Sequence, residues 1–159
     1  MEIKRINTYN DPRFLQNVLN QHGCFLADGI PYEIEIISER EAVVRGENPA
    51  AFLPIQPSQF YVDSEKIEAI RTFIHQPQDI IIQVMPYEDR YISLDGHTRL
   101  YYAVMNGWTT VRAVIETSDD WVYRFVDEAQ KSGVYTPYDM SLISRSEYEQ
   151  KWNRFCDEI

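Results

Sequence analysis

Asp95, Gly96, His97, Thr98 and Arg99 stand in a row between a strand-like run, Arg90-Tyr-Ile-Ser-Leu94, and a helical stripe of Leu100, Ala103 and Val104. A strand that turns straight into a helix leaves the first N–H groups of that helix without intrahelical partners, and the helix dipole favours an anion there. Thr98 adds a hydroxyl donor and Arg99 a bidentate cation, so a phosphate group is the natural guest. Asp95 would repel a bare phosphate, which directs it instead towards a metal ion or a substrate hydroxyl. His97 can donate to phosphate oxygens or carry protons near neutral pH. A plainer alternative fits the same spacing: Asp95 caps the helix through the Thr98 N–H and His97 is simply exposed.

The elements that must position this turn are legible from periodicity. Asp63 caps a helix in which Ile67, Ile70, Phe73 and Ile74 fall on one side, ended by Pro77. Ile80-Ile-Ile-Gln-Val-Met85 is an apolar strand, Pro86 to Asp89 a turn, and Arg90 to Leu94 its partner. Gly107 closes the helix after the turn, and Val111 to Ile115 is another strand. Upstream, Asp11 and Pro12 open a helix carrying Phe14, Leu15, Val18 and Leu19, with Gly23 as its stop. Pro31 to Ile37 alternates as a half-wet strand, and Ala42 to Arg45 is a second. The proline-bearing stretch from Asn48 to Ser58 connects the halves, with an extended piece at Phe52 and Leu53. Downstream, Val122, Phe125, Val126 and Ala129 mark a helix stopped by Gly133. Ser144 and Glu147 form a capping box before a last helix whose stripe is Tyr148, Trp152, Phe155, Cys156 and Ile159. That stripe should dock on the body.

The expected fold class is α+β: a small mixed sheet over 52–116 with flanking helices and added N- and C-terminal segments, 1–51 and 117–159. All of it reads as a single domain over 1–159, since 159 residues with 44% apolar content suffice for one core.

Composition removes several function classes. The net charge of −10 is spread evenly, the segments 1–54, 55–118 and 119–159 each holding five basic and eight or nine acidic residues, with no run of three basic residues. Phosphate-backbone binding needs clustered cations, so duplex DNA is not an expected partner, and a nuclease is a distant reading. No apolar run is long enough for a membrane helix, and Met1 to Asn10 lacks the features of a secretory signal, so a cytoplasmic protein without membrane contact is expected. Cys24 and Cys156 form no metal-binding pair and read as buried thiols. His22 and His75 read as favourable charges at helix C-termini. No direct metal motif, Walker box or nucleophile elbow is present. The pair Tyr101-Tyr102 reads either as a partial stacking surface for a base or, equally, as Tyr101 in the core and Tyr102 on the surface.

Asp95-Gly-His-Thr-Arg99, followed by Leu100-Tyr-Tyr-Ala103 and Asn106-Gly107, resembles the phosphate-binding box of the ParB/sulfiredoxin superfamily. Leu53-Pro-Ile-Gln-Pro-Ser58 and the helix from Asp63 resemble the entry and first helix of that fold, so the resemblance covers about residues 52–116. It implies that Gly96, His97, Thr98 and Arg99 cradle phosphate groups of a nucleotide (ATP, ADP or CTP) or a phosphorylated small molecule. It also implies that Asp95 sits at the reacting group or at Mg²⁺ and would be the catalytic residue of a small-molecule phosphotransferase. Three departures shape the expectation. The sulfiredoxin cysteine is absent from the box, which excludes that chemistry. The helix-turn-helix domain of ParB proper is not evident. Gln59 stands on the substrate side where ParB-like serine kinases place a glutamate base, and an amide cannot take a proton. That substitution weighs towards the alternative, a non-catalytic interaction or regulatory module that retains the fold.

Overall fold

The computed structural model describes residues 2–4, 32–47, 50–87 and 90–159; the helix expected over 11–23 lies outside them, as do His22 and Cys24. The chain is α+β. Its main sheet has seven strands in the order β1 (Glu2–Lys4), β2 (Tyr32–Ile36), β3 (Glu41–Gly46), β8 (Thr110–Ile115), β6 (Ile81–Tyr87), β7 (Arg90–Asp95) and β4 (Ile55–Pro57). Pairings are antiparallel except β8 with β6 and β4 with β7. The sheet therefore reaches beyond 52–116, because β3 pairs with β8 and carries β2 and β1 outward. A two-stranded parallel ribbon joins β5 (Tyr61–Asp63) to β9 (Ser141–Ile143).

Three helices follow the order read from periodicity: α1 (Ser64–Ile70), α2 (His97–Met105) and α3 (Trp121–Lys131). The last helical segment begins as α4 (Arg145–Tyr148), passes through a π-helical stretch (Glu149–Asn153) and ends as α5 (Arg154–Glu158). Ile82 and Val84 of β6, Val111 of β8, and Leu100 and Ala103 of α2 are buried in one cluster, while Ile92 of β7 packs with Val122 and Val126 of α3 in another. The expected docking of the last helix is found. Trp152 lies edge-on to Phe60 at 4.8 Å and Phe155 at 5.2 Å from the same ring, with Phe125 of α3 closing the cluster. Such aromatic pairs contribute about 0.5–1.5 kcal/mol each beyond their buried area.

Four local expectations are corrected. Phe52 and Leu53 are not extended: the chain makes tight turns there, with Leu53 donating to the Ala50 carbonyl and Ile55 to that of Phe52. The strand is Ile55–Pro57 instead, where the last residue can be proline because, among the described residues, β4 is a sheet edge with no partner beyond it. Phe73 leaves the apolar stripe because α1 ends at Ile70, and its side chain is 61% exposed. Tyr102 is buried edge-on to Trp108 at 5.7 Å while Tyr101 is half-buried, the reverse of the core-and-surface reading. Cys156 is exposed: Trp152 and Phe155 fill the face between Phe60 and Phe125, and the next residue, ~100° around the helix, falls outside it.

The C-terminal segment is tied to the core by one buried carboxylate. Asp63 Oδ1 accepts from the Glu65 N–H at 2.9 Å as the N-cap of α1, and its Oδ2 accepts from Arg145 Nε at 2.8 Å. Arg145 is half-exposed and also reaches Glu65, so solvent weakens the ion pair and the cap carries more of the effect. Asp63→Ala should lower unfolding free energy by about 2 kcal/mol, and Arg145→Ala by under about 1 kcal/mol, measured by urea denaturation.

Candidate functional site

Ser93 and Asp95 would share one face of a regular strand. They do not here, because Ser93 pairs with Val84 and Asp95 with the adjacent Gln83, leaving Leu94 as the extra residue of a β-bulge. Bulges re-aim side chains in this way. Ser93 is fully buried, while Asp95 emerges exposed at the end of β7. The next residue, Gly96, is the N-cap of α2 and has φ +86° and ψ +22°, the left-handed conformation that glycine adopts freely. It also passes close over β6, where a Cβ would stand 2.9 Å from Ile82 Cγ2. A glycine is thus required twice over: for the backbone angle and for the approach of the helix start to the sheet.

Asp95 does not cap α2 through Thr98; its Oδ1 accepts from the Gly96 N–H at 2.7 Å. The helix closes its first turn with Leu100 donating to the Gly96 carbonyl at 2.9 Å. The N–H groups of the first residues of α2 therefore have no intrahelical acceptor.

His97 is not the exposed residue of the plainer alternative. It is buried, with Nε2 2.9 Å from Ser93 Oγ and 3.3 Å from the backbone nitrogen of Ser58. A backbone N–H can only donate, so Nε2 carries the lone pair and the ring proton is on Nδ1. Ser93 then donates to Nε2 as well, and Ser58 Oγ donates to the Ser93 carbonyl at 2.7 Å. Burial pushes the His97 pKa down to about 4, against smaller opposing pulls from the Asp95 charge and the Ser93 carbonyl. At neutral pH the ring is uncharged. It pins the start of α2 to β7 and to the residue just after β4.

Thr98 and Arg99 are partly exposed on the first turn of α2. With Asp95, Gly96 and His97 they line one wall of an open cavity of about 420 Å³. Gln59, Lys66 and Tyr148 line it as well, and Phe73 also borders it. Among the described residues neither Arg99 nor Lys66 pairs with a carboxylate. Among the described residues, Asp95 is the one carboxylate lining this cavity.

All six candidates read from the sequence thus meet in one cavity. The periodicity and motif reading missed Lys66 and Tyr148. Lys66 sits on the polar side of α1 like any solvated lysine, and Tyr148 reads as part of a docking stripe. Neither carries a local signal. No group of three His, Cys, Asp or Glu among the described residues could hold a metal ion by itself. Nor is any helix among them long and apolar enough to cross a membrane. Compared with known proteins, the chain matches no family model, no curated protein and no solved structure.

Proposed function

We propose that the protein binds a phosphate-bearing small molecule, a nucleotide such as ATP, ADP or CTP in the first instance, at the Asp95–Arg99 turn, as its resemblance to ParB-like proteins implies. The observation that carries this reading is that Arg99, which pairs with no carboxylate among the described residues, lines one cavity with the first turn of α2, whose N–H groups have no intrahelical acceptor, in a chain whose net charge is −10. Cations left without carboxylate partners in a cleft favour an anionic ligand over solvent. Thr98 supplies a hydroxyl donor beside them.

Mg²⁺ fits the donors present, provided the ligand completes its shell. Mg²⁺ is commonly held by one or two carboxylates together with phosphate oxygens and water. Asp95, exposed and with Oδ1 engaged by a single N–H, would be the protein's contribution. The ion would supply charge neutralisation between that carboxylate and the phosphate.

Binding is favoured over transfer. Gln59 cannot accept a proton, and the buried lone pair of His97 is already engaged by Ser58 and Ser93. The phosphotransferase reading keeps one support, the exposed Asp95 carboxylate at the mouth of the turn, which could orient an acceptor hydroxyl. Titration calorimetry with ATP, ADP and CTP, with and without Mg²⁺, tests both. Arg99→Gln should weaken binding about tenfold or more, because it removes charge-assisted hydrogen bonds to phosphate. Asp95→Asn keeps the acceptor for the Gly96 N–H. It should erase the effect of Mg²⁺ while leaving metal-free binding within a few-fold. Nucleotide turnover with a small hydroxyl compound, abolished in Asp95→Asn, would establish transfer. A wild-type protein that binds neither nucleotide nor phosphate would end the proposal.

A further inference from the structure

Outside the Asp95–Arg99 turn, part of the cavity wall is made by Gln59, Lys66 and Tyr148, which come from separate parts of the chain. The Gln59 amide has a fixed orientation: its Nε2 lies 2.6 Å from the Tyr61 carbonyl, which can only accept, and 3.2 Å from the Tyr148 hydroxyl. Both N–H bonds are therefore spent, one on each oxygen. Tyr148 receives a hydrogen bond from Gln59, so its own O–H is left to donate, and Gln59 Oε1 is left to accept. Among the described residues neither has a partner for that remaining capacity. Lys66 lies with its ammonium 4.8 Å from the centre of the Tyr148 ring, a cation–π contact that holds a flexible side chain against this wall without neutralising it. Tyr148 is itself buried, fixed in place by the docked C-terminal segment.

We propose that this wall is a second subsite, in which Lys66 and Tyr148 take a second anionic group of the same ligand whose phosphate lies at Thr98 and Arg99. The inference rests on the phosphate-binding reading above and adds a ligand class: a small molecule with two separated anionic groups, at least one of them a phosphate. Two cations, Arg99 on α2 and Lys66 on α1, line one cavity where Asp95 is the single lining carboxylate among the described residues, so the cavity is matched to more than one negative charge. The Tyr148 O–H and the Gln59 carbonyl oxygen then distinguish this wall from a bare cation. Together they can hydrogen-bond an anion and a neighbouring hydroxyl.

The test compares three probes on the full chain: inorganic phosphate, pyrophosphate, and 3-phosphoglycerate, which carries a carboxylate in place of the second phosphate. Binding is followed by amide NMR shifts of Thr98 and Arg99. Lys66→Gln and Tyr148→Phe should each weaken pyrophosphate or 3-phosphoglycerate several-fold, Lys66→Gln about tenfold, while inorganic phosphate changes less than twofold. Whichever of the two larger probes loses more identifies the second anion as phosphate or carboxylate. Unchanged affinity for both larger probes in Lys66→Gln, with inorganic phosphate still bound, overturns the second subsite and leaves the phosphate site standing. Equal weakening of all three probes also overturns it, since Lys66 would then serve the first phosphate. No shift at Thr98 or Arg99 with any probe overturns both readings.

Discussion

Gly96→Ala should cost the protein about 3 kcal/mol of unfolding free energy, one of the largest penalties expected from adding a single methyl group to this chain. Two independent terms produce it. An alanine at φ +86° pays about 1 kcal/mol or more for the left-handed backbone. Its Cβ would also stand 2.9 Å from Ile82 Cγ2 and 3.3 Å from Ile82 Cα, and neither atom has room to retreat. Ile82 is fully buried on β6, between β8 and β7, so relief requires the start of α2 to lift off the sheet at about 1–3 kcal/mol. Gly133→Ala is the control. Gly133 has nearly the same φ, +84°, but a Cβ there would meet nothing within 4 Å. It should lose only the backbone term, about 1 kcal/mol. Urea denaturation of the two variants separates the terms; equal losses would show that the Ile82 contact relaxes at no cost. The same displacement carries the N–H groups of His97 and Thr98 away from the cavity, so Gly96→Ala should also weaken phosphate probes where Gly133→Ala does not.

What could be read from the sequence was local. The Asp95–Arg99 turn and its place between a strand and a helix follow from period-two and helical patterns in the residues beside it. So do the Asp63 cap and the aromatic stripe that docks through Trp152. The missed features depend on residues far apart in the chain. The β5–β9 ribbon has three residues per strand, too few for alternation to register. Leu94 looks like any strand residue until Gln83 and Val84 set the register that makes it a bulge, and only then does Asp95 turn out to solvent. His97 looks exposed after a glycine turn because nothing nearby in the chain announces that the Ser58 N–H will meet its ring. Lys66 and Tyr148 lie 82 positions apart in the numbering and become neighbours only when β9 pairs beside β5 and brings α4 to the cavity. The Asp95–Arg99 turn and Gln59 were therefore legible, and Lys66 and Tyr148, which line the same cavity, were not.

The burial of His97 gives the stability of the protein a pH dependence of definite sign. In the unfolded chain the ring titrates near 6.5; in the folded protein burial holds its pKa at about 4. Between those values the unfolded state binds a proton that the folded state refuses, so stability must fall as pH drops from about 6.5 to about 4. Above 6.5 both states are neutral and the contribution is fully present; below 4 it is lost. At 1.36 kcal/mol per pH unit the loss across the window is about 3 kcal/mol for this group alone. The hydrogen bonds give the same direction, because protonating Nε2 removes the acceptor on which the Ser58 N–H and the Ser93 hydroxyl both converge. The loosened contact is the one between the start of α2 and the residue after β4. His97→Gln keeps a polar side chain without a titrating ring. It should be less stable than the wild type at pH 7 and show a flatter profile, so that the two curves converge near pH 4. Urea midpoints measured every half pH unit from 7.5 to 4 test this. Parallel curves for the two proteins would mean that His97 titrates alike in the folded and unfolded states, and that the ring is not held as a buried neutral acceptor.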